Sequence, residues 1–315
     1  MNNLHVVFGA GSLGLATANA LAAQSKRVRV VSRSGKANVP AGVEVARADV
    51  EDAAQAIEAT KDANVIYNCI GLPYDIKTWS AKWPVVQANL IGAAQASGAK
   101  YIFGDNLYMY GDTNGAPVNE DSPNLATMKK GQLRARIAQM VLDAHHRGEI
   151  RAAIVRGSDF FGPTVTNNGV IGERSVGAML RGKPALLIGN IDLLHTYTFI
   201  EDFGKALALV GERDEALGQI WHAPNAETLT TRQMMQTFAK AANVPVKFQV
   251  LSNSMVGLLG MFMPLMRELG DMAFSRAKPY IVQSDKITRV LGLKATPLSQ
   301  AVQRTLDWYR ANQAA

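Results

Sequence analysis

Residues 4–14 read Leu-His-Val-Val-Phe-Gly-Ala-Gly-Ser-Leu-Gly. Leu4 to Phe8 is an apolar run of β-formers, Gly9, Gly11 and Gly14 follow in the spacing G-x-G-x-x-G, and Leu15 to Ala23 has helical character. A glycine-rich turn alone is a weak signal, but strand, glycines and helix in this order make one dinucleotide-binding unit. Gly9 would form the tight turn, Gly11 would let the backbone approach a pyrophosphate, and Gly14 would allow close helix–strand packing. The helix that opens there points unpaired N–H groups at the phosphates. Gly9, Gly11, Ser12, Leu13 and Gly14 are therefore expected to bind a dinucleotide.

The next strand, Arg27 to Val31, should end beside the adenosine ribose. It continues Ser32-Arg33-Ser34-Gly35-Lys36, without the Asp or Glu that would accept from a 2′-hydroxyl. A guanidinium and two hydroxyls suit a phosphate dianion, which a carboxylate would repel. Ser32 and Arg33 thus point to NADP(H) rather than NAD(H).

The chain has 315 residues, room for one large or two smaller domains with an ample core. A net charge of +7 and a pI near 9.5 favour anionic ligands. The positive residues are dispersed, with no basic run or nucleic-acid motif, so a phosphate-rich cofactor accounts for them and no nucleic-acid partner is expected. The single cysteine, Cys69, excludes an intrachain disulfide and fits a reducing, cytoplasmic compartment, and no signal-peptide pattern stands before the first strand. With Cys69 isolated, no metal site is expected. The stretch Met255 to Met266 is too short to span a bilayer and contains Pro264, so no membrane partner is expected. It reads as core or as the wall of an apolar pocket, to which Trp79 and Trp83 are further candidates.

Apolar runs alternate with helical stretches. After the first two strands come Val43 to Ala46, Val65 to Asn68, Tyr101 to Phe103 and Ile150 to Val155, with helices near Asp52 to Ala59, Trp83 to Ser97 and Lys130 to His146. Repeated β-α units predict an α/β, Rossmann-type doubly wound parallel sheet. The rhythm breaks near residue 160. The expected division is a dinucleotide domain over 1–159, with 195–222 returning to it, and a smaller substrate-binding part over 160–194 and 223–315.

Several further segments carry a family resemblance. Asp49-Val50 is similar to an acidic-aliphatic pair that contacts adenine, and Asn68-Cys69-Ile70-Gly71 to a loop beneath the cofactor. Asn89 resembles a helix asparagine, Arg156-Gly157-Ser158-Asp159-Phe160-Phe161-Gly162-Pro163 an R-x-x-N-x-Y-G-P segment, and Gly182-Lys183-Pro184, Thr198 to Asp202, Thr296-Pro297-Leu298 and Asp307-Trp308-Tyr309 later landmarks. Together with residues 9–14 they resemble the extended short-chain dehydrogenase/reductases, in particular the NAD-dependent epimerase/dehydratase branch. The resemblance implies cofactor contacts at Asp49, Val50, Cys69, Gly71 and Asn89.

The catalytic positions depart from that family. Its Ser/Thr falls on Asn106, and its Y-x-x-x-K pair falls on Lys130 and Arg134. Residues at i and i+4 share a helix face, so both cations can face the cofactor. Arg134 would donate to ribose hydroxyls. Lys130, a depressed-pKa ammonium, or Tyr108 would replace the missing phenol as proton donor, leaving Tyr108, Lys130 and Asn106 as the catalytic candidates. His195 stands where sugar-nucleotide enzymes of the family often carry a diphosphate-gripping arginine, and Asp159 replaces the family asparagine. The expected function is NADP(H)-dependent oxidoreduction of a small carbonyl or alcohol compound. The alternatives are a non-catalytic NADP(H) sensor and a sugar-nucleotide epimerase/dehydratase. A homodimer is compatible with all of these.

Overall fold

The structure is a computed structural model that describes residues 3–167, 169–270 and 273–313. Its centre is a seven-stranded sheet built from β1 (Leu4–Phe8), β2 (Arg27–Ser32), β3 (Glu44–Arg47), β4 (Ala63–Asn68), β5 (Lys100–Asp105), β6 (Arg151–Arg156) and an edge strand, Ile220–His222. Neighbours run edge strand, β6, β5, β4, β1, β2, β3, every pair parallel. Parallel strands need crossover helices, so both faces of the sheet are covered and its strands are nearly all buried.

Alternation along β1 shows the two layers. Leu4, Val6 and Phe8 enter one core with α2 (Ala53–Ala59), α3 (Ile76–Ser97) and α4 (Lys129–His146), while Val7 enters the other with α1 (Ser12–Ala22) and the helix Ile200–Glu212. The chain winds from β1 outward to β3, then crosses to β4 on the opposite side of β1. That reversal opens a crevice at the carboxyl ends of β1 and β4, where ligands of such sheets bind.

The third helix starts earlier than its sequence pattern suggests. The Asp75 carboxylate accepts from the Thr78 N–H at 2.7 Å and caps the first turn, so Ile76 to Lys82 is helical and Pro84 lies inside the helix. A proline there removes one internal hydrogen bond, a loss offset by burial of Trp79, Trp83, Val86 and Leu90 on one stripe.

Beyond β6 the strands are short pairs. Asp159–Phe161 pairs with Tyr197–Phe199, Ala185–Ile188 with Phe248–Leu251, and Leu194–His195 with Leu229–Thr230. Phe161, Phe199, Phe238, Met234 and Leu306 form a separate core beneath them. The Met-rich stretch is not core: Met261 and Phe262 are 63% and 79% exposed, and Met255 and Met263 are also exposed. The short helix Asn253–Gly260 buries only Val256 and Gly260, and with Met261 and Met266 it lines an open cleft, which leaves the pocket-wall reading standing.

Candidate dinucleotide site

The three glycines meet three different constraints. Gly9 has φ +108°, and a β-carbon there would lie 2.6 Å from the Cys69 carbonyl oxygen. A β-carbon on Gly14 would sit 1.9 Å from the Gly9 carbonyl oxygen, because α1 rides directly on the turn. Gly11 has no protein atom within 4 Å of the same position. Neither helix packing nor backbone strain requires glycine at residue 11. Open space at the amino end of α1 fits a pyrophosphate drawn against the backbone, and Gly71, across the crevice, is equally open.

The side chains of this loop serve the fold. Ser12 donates to the Thr164 carbonyl at 2.8 Å, and Leu13 packs against Gly104 at the end of β5. Their contribution to a dinucleotide would be backbone N–H groups. Cys69 likewise turns its thiol inward against Thr17 at 3.6 Å, and burial pushes it up to about 12, which leaves its backbone to face the crevice.

At the adenosine end, the Ser32 hydroxyl closes a turn by donating to the Lys36 carbonyl at 3.0 Å. This turn leaves Arg33 and Lys36 exposed, and Arg33 makes no ion pair among the described residues. Strand pairing adds a cation that sequence order concealed: Arg47, the last residue of β3, lies in register with Ser32 and is exposed. The adjacent loop is fastened from α3. Asn89 donates to the Val50 carbonyl at 2.9 Å, Lys82 pairs with Glu51 at 2.6 Å, and the Asp49 carboxylate accepts from the Glu51 N–H at 3.0 Å. Asn89 therefore holds the Asp49-Val50 loop in place.

The reacting end is organised around charge pairings that the sequence pattern did not reveal. Arg134 directs its Nε to Asp105 Oδ1 at 2.8 Å and pairs with the same oxygen through Nη2. Arg156 approaches the other oxygen at 3.4 Å, and all three side chains are buried. The Arg134 guanidinium also lies over the Trp83 ring, 4.6 Å from its centroid. Binding a ribose through Arg134 would have to share or break this pairing. Arg156 continues to the Tyr110 hydroxyl at 2.9 Å, which meets His222 Nε2 at 2.8 Å. Burial is the main reason His222 is lowered to about 4.

Lys130 is fully buried. Its ammonium pairs with the Glu268 carboxylate at 2.5 Å, donates to the Glu268 carbonyl at 3.0 Å, and lies 3.9 Å from the centroid of the Tyr74 ring. Asn106 accepts from the Tyr108 N–H at 3.0 Å, so its side chain shapes the turn that presents Tyr108. Tyr108 stacks on Trp79 with centroids 6.2 Å apart and meets Tyr74 edge-on at 6.4 Å. Burial first, then Tyr74 and Asp159, hold its phenol well above the ordinary value. Nearby, His195 Nε2 lies 2.9 Å from Asp159 Oδ2, joining the two residues that depart from the family pattern in the substrate region.

The NAD dependent epimerase/dehydratase family profile matches residues 5–222. The chain belongs to that family. No curated protein matches its sequence. Among solved structures, it is similar to a dTDP-glucose 4,6-dehydratase from Streptomyces venezuelae with NAD bound, at 17% identity and a TM-score of 0.78 over 99% of this chain and 98% of that one. It is also similar to the UDP-glucuronic acid 4-epimerase of Bacillus cereus in complex with NAD, at 16% identity and 0.78, covering 98% and 99%. An epimerase from Methanothermobacter thermautotrophicus gives 15% identity and a TM-score of 0.82, covering 99% and 94%. At such identities the likeness establishes the fold. No described helix is long and apolar enough to cross a membrane.

Proposed function

We propose that this family member is an NADP(H)-dependent oxidoreductase acting on a small carbonyl or alcohol compound. The observation that carries the cofactor assignment is the rim where β2 and β3 end. Arg33, Lys36 and Arg47 gather there, with Ser32 and Ser34 between them and no carboxylate in the turn. A 2′-phosphate meets cations on this rim, whereas a 2′-hydroxyl meets no acidic acceptor in it. Gly9, Gly11, Gly14 and Gly71 would admit the pyrophosphate, and Asp49, Val50 and Asn89 would shape the adenine side.

When bound, the dinucleotide supplies or accepts the hydride, while the protein orients substrate and manages the proton. Tyr74, Trp79 and Tyr108 give an apolar aromatic wall to the reacting end, and Tyr108, Lys130 and Asn106 lie around it. Two of the solved structures named above, the dTDP-glucose dehydratase and the UDP-glucuronic acid epimerase, are sugar-nucleotide enzymes by their own descriptions. His195, paired with Asp159, stands here in place of a diphosphate-gripping arginine, which supports a smaller substrate. A binding-only sensor is favoured by one observation: Lys130 and Arg134 are both engaged by protein carboxylates. The deciding experiment adds diacetyl and nitrobenzaldehyde to the NADPH-loaded protein and follows NADPH absorbance. Consumption supports the reductase; tight binding with no consumption across a wider carbonyl panel supports the sensor.

A further inference from the structure

Adding a hydride to a carbonyl carbon pushes the C=O π pair onto oxygen, and that oxygen needs a proton. Lys130 is poorly placed to give one: its ammonium is held by the Glu268 carboxylate and carbonyl, and transfer would leave Glu268 as an unpaired, partly buried anion. Arg134 does not release protons at ordinary pH. Asn106 has no acidic proton and spends its carbonyl on the Tyr108 N–H. Two phenols remain beside Lys130, Tyr108 and Tyr74, the latter outside the family motifs.

Tyr74 follows the open Gly71 on the loop that leaves β4 at the crevice, and its ring is half-buried. The Lys130 ammonium sits 3.9 Å from its centroid, where a cation attracts negative charge developing in the ring. Trp79 meets the same ring edge-on at 5.6 Å and fixes its plane. The Tyr108 ring meets Tyr74 edge-on at 6.4 Å, and burial holds the Tyr108 phenol well above its ordinary value, in its protonated form. We propose that Tyr74 is the proton donor of this site, with Lys130 stabilising the phenolate it leaves and the Tyr108 ring packed edge-on against it. A tyrosine and a lysine are thereby brought together from the β4–α3 loop and the start of α4, 56 positions apart in the chain.

The inference rests on the oxidoreductase reading. In the balanced step, the hydride and its electron pair form the new C–H bond. The Tyr74 O–H bond breaks, its proton forms the alcohol O–H, and the phenolate regains a proton from water. In the oxidation direction the same phenolate accepts the alcohol proton.

The test compares Tyr74→Phe with Tyr108→Phe. Phenylalanine keeps the ring packing and the cation contact, so both should fold. With diacetyl as probe, Tyr74→Phe should lower turnover by about 10²- to 10⁴-fold, the usual contribution of a positioned acid, with NADPH affinity unchanged. Tyr108→Phe keeps the ring contacts to Tyr74 and Trp79 and should lose no more than about tenfold, the scale of one hydrogen bond. A readout without cofactor or turnover is nitration of the free protein by tetranitromethane, with sites mapped by mass spectrometry: Tyr74 should react ahead of Tyr108. Full turnover in Tyr74→Phe, or prior nitration of Tyr108, overturns this assignment alone. Wild-type protein that binds NADPH but reduces no carbonyl overturns the reductase reading and this assignment with it.

Discussion

The phosphate end and the reacting end of the crevice are built on different principles. Around Gly9, Gly11 and Gly14 the backbone does the work, and two of the three glycines are required by contacts within a few residues or across one strand. Around Asp105, Lys130 and Arg134 side-chain charges do the work, each neutralised by a partner from a distant segment. A backbone cradle is preorganised by the fold and fails where a side chain is added to its glycines. A buried charge cluster depends on every partner being present.

The largest effect should therefore come from the reacting end. Asp105→Ala would leave Arg134 and Arg156 buried without their carboxylate, and breaking a buried pair in this way costs about 3–5 kcal/mol. Thermal unfolding should show a large loss of Tm, and an unchanged Tm would mean the cluster is solvated. At the phosphate end, Gly11→Val should abolish cofactor binding while the circular dichroism spectrum and Tm stay near wild type, because a β-carbon there has no protein atom within 4 Å. If dinucleotide binding survives, the phosphate loop lies elsewhere.

Acid separates the two regions again. His222 is buried and neutral, lowered from 6.5 to about 4, so the unfolded chain binds more protons than the folded one across that window. Its contribution is complete above pH 6.5 and is lost as pH falls toward 4, by at most about 3 kcal/mol at about 1.4 kcal/mol per pH unit. Unfolding curves measured from pH 7 to 4 should show this loss, with a shallower fall in His222→Gln. An equal slope in the variant would locate the titration elsewhere, His5 being the other histidine lowered to about 4 by burial.

The same contrast explains what the sequence disclosed. The glycine spacing, the β-α rhythm and the strand positions are local signals, and the parallel seven-stranded sheet follows from them. The landmarks of residues 156–202 likewise identify the family to which the chain belongs. Arg47 was hidden because its place beside Ser32 depends on β2–β3 register. Glu268 was hidden because it reaches Lys130 across 138 residues. Lys130 and Arg134 were recognisable as substitutions one helical turn apart, but their partners could not be read from spacing. Tyr74 had a visible signal, an aromatic residue just after Gly71 on a cofactor-side loop, yet its proximity to Lys130 is tertiary.

The smallest of these effects bears on the central claim, that the chain holds a 2′-phosphorylated dinucleotide on the basic rim. Calorimetric titration with NADPH and NADH, on wild type, Arg33→Ala and Arg47→Ala, measures it directly. NADPH should bind more tightly than NADH, and each variant should weaken NADPH alone, by ten- to a hundredfold for a charge-assisted contact worth roughly 1.5–3 kcal/mol. NADH affinity equal to or above that of NADPH in the wild-type protein would contradict the account.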